Sequence, residues 1–93
     1  MSRQRDYEYY PYIGLKTISK FEPDMGKLKV SKVARSPRGF LPYYKKVGGD
    51  QNKVNDYWDR RRAGFIARHM AQYEKNPTYR RRLALIAWAY DPE

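Results

Sequence analysis

Two arginine triplets, Arg60, Arg61 and Arg62 and then Arg80, Arg81 and Arg82, each lead into an apolar stretch. A guanidinium offers five N–H donors in a rigid fork and stays charged at physiological pH, which suits it to phosphate and carboxylate oxygens. With Pro77 at the first position of a helix, the second triplet falls in the first turn and a half, at the positive end of the helix dipole. Exposed cations there cost about 0.3–1 kcal/mol each. Two arrangements relieve that cost. In one, the arginines lay their stems on apolar neighbours and pair with Asp56, Asp59 or Glu74. In the other, an external anion completes the site, because a helix N-terminus furnished with arginines is a ready phosphate site. Clustering favours the anion: residues 35 to 82 hold thirteen Lys/Arg against four Asp/Glu and so carry +9 of the chain's +10. Arg68, Lys45 and Lys46 extend the footprint expected for a phosphate backbone.

Other chemistry is sparse. The chain has no cysteine and one histidine, which excludes disulfides, thiolate catalysis and Cys-ligated zinc. His69 lies on an apolar helical stripe and reads as a core or boundary imidazole rather than a base. Gly48 and Gly49 are followed by Asp-Gln-Asn-Lys, which reads as a helix end and not as a phosphate loop. Asp56 and Asp59 suit the first turn of a helix better than a catalytic pair. The expectation is a protein that is not an enzyme and uses neither cofactor nor metal.

The elements that must hold these residues are few. Ninety-three residues allow one small domain, and ten tyrosines argue for a real if modest core. No apolar run reaches the roughly 18 residues of a membrane span. The opening Met-Ser-Arg-Gln-Arg-Asp lacks the apolar core of a secretory signal. Residues 1 to 34 read as an extended arm, with partial alternation on either side of Glu22-Pro23-Asp24-Met25-Gly26 allowing a β-hairpin over 12–33. Residues 35–93 read as the basic helical domain. Ser36 and Pro37 propose one helix start, Pro42 a kink or restart, and Gly48-Gly49 its end. The clearest helix runs from Asn55 or Asp56 to about Lys75, with Trp58, Phe65, Ile66, His69, Met70 and Tyr73 on its apolar face. Arg60, Gly64, Ala67 and Ala71 make a second stripe that a helix or a nucleic-acid backbone can approach. The last helix spans about 77 to 90, capped by Asn76. The fold class expected is mainly α, a small two- to three-helix domain with an extended or β-hairpin N-terminal arm. Trp58, Phe65, Ile66, Met70, Leu83 and Ile86 form the expected core.

That last helix has two apolar sides. Tyr79, Leu83, Ile86 and Tyr90 make one stripe, and Leu85 and Trp88 lie nearly opposite. The second side needs cover, either from the arm through Tyr7, Tyr9, Tyr10, Tyr12 or Ile13, or from a second chain. Leu85, Trp88, Tyr9, Tyr10 and Tyr12 are therefore candidate partner-binding residues.

The stretches Arg35–Asp50, Arg60–Gln72 and Arg80–Pro92 resemble small basic proteins encoded by bacteriophages, cyanophage-like proteins among them. Phe65, Arg68, His69, Arg81, Arg82, Leu85 and Trp88 occupy the shared pattern. The resemblance covers residues 35–92 and implies a viral origin. The sequence thus predicts a phage-type protein that binds DNA or RNA through phosphates with little sequence preference. The candidate contacts are Arg60, Arg61, Arg62, Arg68, Arg80, Arg81, Arg82, Lys45 and Lys46. Two alternatives remain: a minor structural component of a virus particle, capsid- or connector-associated and contacting other viral subunits, or an inhibitor or adaptor docking on an acidic host protein. A homo-oligomer is possible in each case. The setting expected is the cytoplasm of an infected cell or the virion.

Overall fold

In a computed structural model the chain is described from Tyr10 to Glu93. Five helices follow one another: α1 (Leu15–Leu28), α2 (Lys32–Arg35), α3 (Phe40–Lys46), α4 (Asp56–Lys75) and α5 (Tyr79–Ile86), with one 3-10 turn at Gln51–Lys53. The protein is mainly helical, and no strand occurs among the described residues.

The hairpin over 12–33 does not form, because Leu15–Leu28 is helical. Ile18, Phe21 and Met25 stand three and four residues apart, so a helix puts them on one face. Ile18 and Met25 are fully buried there and Phe21 half-buried. Pro23 sits inside α1 on its exposed side. It takes the N–H partner from the Ser19 carbonyl, a loss that solvent can make good. Burial of the Ile18–Met25 stripe outweighs it. Among the described residues the extended segment is 10–14, and α1 follows it directly.

Local signals hold better further on. The Asn55 side chain accepts from the Trp58 N–H and starts α4 where expected. α3 begins at Phe40, later than Ser36-Pro37 suggests, which leaves Pro42 in its first turn, where no intrahelical bond is lost. Gly48 and Gly49 follow it with φ of 73° and 69°, the left-handed region glycine tolerates. Thr78, not Asn76, caps α5 by accepting from the Arg81 N–H. Its helix ends at Ile86, and Ala89 turns the chain at φ 60°.

α5 packs on both α1 and α4 and is buried on both sides. Leu83 and Ile86 join Ile18, Met25 and Phe40 in the main core, while Leu85 joins Ile66 and Tyr73 in a smaller one. Of the expected core, Ile66, Leu83 and Ile86 are fully buried; Trp58, Phe65 and Met70 stand half-buried at its edge. The arm supplies the cover that α5 needs. Tyr10 packs on the Leu85 cluster and Tyr12 and Ile13 on the Trp88 cluster. The Ile13 N–H donates to the Ala89 carbonyl at 2.9 Å, and the Tyr44 hydroxyl donates to the Ile13 carbonyl at 2.9 Å.

A buried arginine fastens this junction. Arg62 has no exposed surface. It donates to the carbonyls of Trp88 at 2.6 Å, Tyr10 at 2.7 Å, Ala89 at 2.9 Å and Pro11 at 3.2 Å. Its guanidinium lies 3.6 Å from the centroid of the Tyr12 ring, whose hydroxyl donates to the buried Asp59 at 2.9 Å. Burial pulls the Arg62 pKa down to about 10 against the favourable pull of Tyr12 and Asp59, which still leaves it charged at neutral pH.

Candidate nucleic-acid interface

α4 presents Arg60, Arg61, Gly64, Phe65, Arg68, His69 and Gln72 along one stripe, set by the three- and four-residue spacing of a helix. The facing wall is the chain from Lys29 to Ala34, and Ala84 of α5 lies between. Two hollows result. One, of about 710 Å³, is lined on its rim by Lys32, Arg60, Arg61 and Arg68 and inside by Phe65 and Trp88. The second, of about 530 Å³, takes Lys29, Arg80 and Arg81 from the α1 end and the start of α5. Ser31, His69 and Ala84 line both, so they run on as one groove with seven cations and no lining Asp or Glu.

Local geometry makes the facing wall. Lys29 and Ser31 adopt left-handed backbone, with φ of 55° and 53°, a conformation that costs non-glycine residues about 1–2 kcal/mol. Three tethers hold it. Ser31 Oγ donates to the Ala84 carbonyl at 3.3 Å, and Arg35 donates to the carbonyls of Val30 at 3.0 Å and Met25 at 3.3 Å. Arg35 therefore closes the end of α1 and lies outside the groove lining.

The nine predicted phosphate-binding residues separate. Arg60, Arg61, Arg68, Arg80 and Arg81 line the groove. Arg61 also donates to the Tyr57 hydroxyl at 3.1 Å, Arg80 to the Leu28 carbonyl, and Arg81 to the Asn76 carbonyl at 3.0 Å. These bonds hold the guanidinium groups at the rim. Arg62 is out of a phosphate's reach, because it is buried and its donors are spent on backbone. Arg82 forms a two-pronged pair with Asp91, both bonds 2.9 Å. That pairing raises the Arg82 pKa and lowers that of Asp91. Lys45 pairs with Glu22 at 2.9 Å, and Lys46 lines a separate shallow hollow beside Arg38 and Trp58. The groove adds Lys32 and also Lys29, which the alternating pattern alone would put on the polar side of a strand.

Leu85 and Trp88 are buried at 0% and 4% exposure. With Tyr10 and Tyr12 they form an interface inside the chain and not one open to a partner. Tyr7 and Tyr9 lie outside the described residues. His69 is half-buried, stacked on Phe65 with ring centroids 3.9 Å apart. Burial first, and the charge of Arg68 second, lower its pKa. No cluster of three metal-ligating side chains occurs among the described residues, and no described helix is long and apolar enough to cross a membrane. No known protein family, curated protein or solved structure matches the chain.

Proposed function

We propose that this is a small phage-type protein that binds nucleic acid through phosphate contacts in the groove between α4 and the Lys29–Ala34 wall, with little sequence preference. One observation carries the reading: seven cations from three parts of the chain line one groove in which no acid answers them. Cations gathered without counter-charge repel one another, and a polyanion relieves that repulsion while releasing its own condensed counterions. The partial neutralisation of the other cations sharpens the assignment, since Arg82 and Lys45 have acidic partners and Arg62 serves the fold.

The test is salt dependence. Random-sequence nucleic acid, titrated by fluorescence anisotropy, should bind at low salt and dissociate as salt rises. Charge removal in Arg60→Gln/Arg61→Gln or Arg80→Gln/Arg81→Gln should flatten the plot of log K against log salt. The expected change is about 0.9 for each phosphate no longer neutralised on duplex DNA, or about 0.7 on single strands. Lys45→Gln, on the Glu22 pair, should leave the slope unchanged. Equal slopes for all three variants and the parent would refute the groove as the phosphate site.

A further inference from the structure

A phosphate track needs charge alone, yet this groove has an aromatic interior. Phe65, Trp88 and His69 line it beneath the cationic rim. They end a column of rings that starts deep in the core. Tyr44 stacks on Phe40 at 5.5 Å, Phe40 on Trp88 at 5.2 Å, Trp88 on Phe65 at 4.8 Å and Phe65 on His69 at 3.9 Å. Each successive pair is within 26° of parallel. The last ring, His69, borders both hollows.

Resting on the nucleic-acid reading of this groove, we infer that its ligand is single-stranded, with an unpaired base stacking on the His69–Phe65 end of the column while the flanking phosphates lie along the arginines of the rim. A duplex keeps its bases stacked inward and offers this protein only a ridge of phosphates, so the apolar interior would stay unfilled. A single strand can turn a base out of its own stack, and every base has a π-face, so such binding is tolerant of sequence. The hollows are of the size that admits one small flat group, within the roughly 300–1,000 Å³ usual for ligand pockets. Arg61 also lies over the Tyr57 and Trp58 rings, 5.4 and 5.6 Å from their centroids, so cation and aromatic surface continue together past the rim. Both ingredients of a single-strand site, a basic track and a stacking platform, are thus in one place.

The experiment compares three probes of equal length on the full chain at fixed salt: labelled oligothymidylate, the corresponding oligothymidylate–oligoadenylate duplex, and an abasic deoxyribose-phosphate strand. The thymidylate strand should bind about tenfold or more tighter than the abasic strand, the discrimination expected of base–aromatic stacking, with similar salt slopes for the two. It should also outbind the duplex. His69→Leu should lose most of the advantage over the abasic strand, and His69→Phe should keep it. Equal affinity for thymidylate and abasic strands in the parent protein would overturn the stacking inference and leave the phosphate reading standing. Absence of salt-sensitive binding to all three, or equal displacement by polyglutamate, would remove both. The abasic comparison uses the unmutated chain, so it decides the matter even where a His69 variant fails to fold.

Discussion

Replacing Arg62 by methionine should cost about 3–5 kcal/mol, the range for removing one partner from a buried charged network. The side chain makes four hydrogen bonds from a charged donor, and such bonds contribute about 1.5–3 kcal/mol each. Against this stands the burial of the guanidinium. Desolvation pulls its pKa down to about 10, so the cost of burying the charge offsets part of what those bonds contribute. The four acceptors do not suffer equally. Tyr10 and Pro11 lie near the surface, where water can replace the donor, and the Ala89 carbonyl keeps the Ile13 N–H. The Trp88 carbonyl is left without its 2.6 Å partner in a buried setting, and the buried Asp59 loses a neighbouring cation. Methionine roughly fills the space, so little cavity cost is added. Urea unfolding followed by circular dichroism should show a lower midpoint with a similar slope. Melting should fall by at least about 12 °C, at 4–8 °C per kcal/mol for a domain of this size. Arg62→Lys, which keeps the charge but has one ammonium for four carbonyls, should fall between. At temperatures where the variant stays folded, its nucleic-acid salt slope should match the parent's. A loss under about 1 kcal/mol, or a flattened salt slope in the folded variant, would show that Arg62 is not the internal fastening described here.

Phe40→Ala should cost about 3–5 kcal/mol, read by thermal melting, because Phe40 is fully buried and stacks on both Tyr44 and Trp88; an unchanged melt would contradict that packing. Gly39→Ala should destabilise by about 1–3 kcal/mol, the scale of overpacking. The new Cβ would press on the Val33 and Ala34 carbonyl oxygens, with the Ala34 carbonyl carbon at 2.7 Å, so a neutral substitution would mean that the turn before α3 is placed wrongly. His69 has a folded pKa below its unfolded value, so the unfolded chain takes up the proton first as pH falls. Its contribution to stability is therefore full above about pH 6.5 and lost as pH drops through the folded value. Unfolding midpoints from pH 7.5 to 5 should decline less in His69→Phe than in the parent, and parallel curves would dismiss the effect. Removing residues 1–13 should red-shift Trp88 emission in a Trp58→Phe background, because Tyr12 and Ile13 pack on the Trp88 cluster; identical spectra would show that the arm does not cover it.

Composition and short-range patterns decided a good part of this molecule. The basic half, the helix from Asp56 to Lys75 with its Asn55 cap, the glycine end of α3 and the need to cover Leu85 and Trp88 were all legible, because each depends on residues within a turn or two of one another. α1 was not. Its alternating residues fit a strand locally, and only packing against α5 rewards the three- and four-residue spacing of Ile18, Phe21 and Met25. Equally beyond local reading was the division among the arginines. Arg60, Arg61 and Arg62 are adjacent and chemically identical, but a helix turns by about 100° per residue. Two of them consequently line the groove, while the third points into the junction of arm and α5, where backbone carbonyls from residues 10, 11, 88 and 89 converge. The same long-range folding brings Lys29 and Lys32 opposite α4 and leaves Arg82 and Lys45 beside Asp91 and Glu22. Charge is a property of the chain, but which charges remain unanswered is decided by residues up to half the chain away.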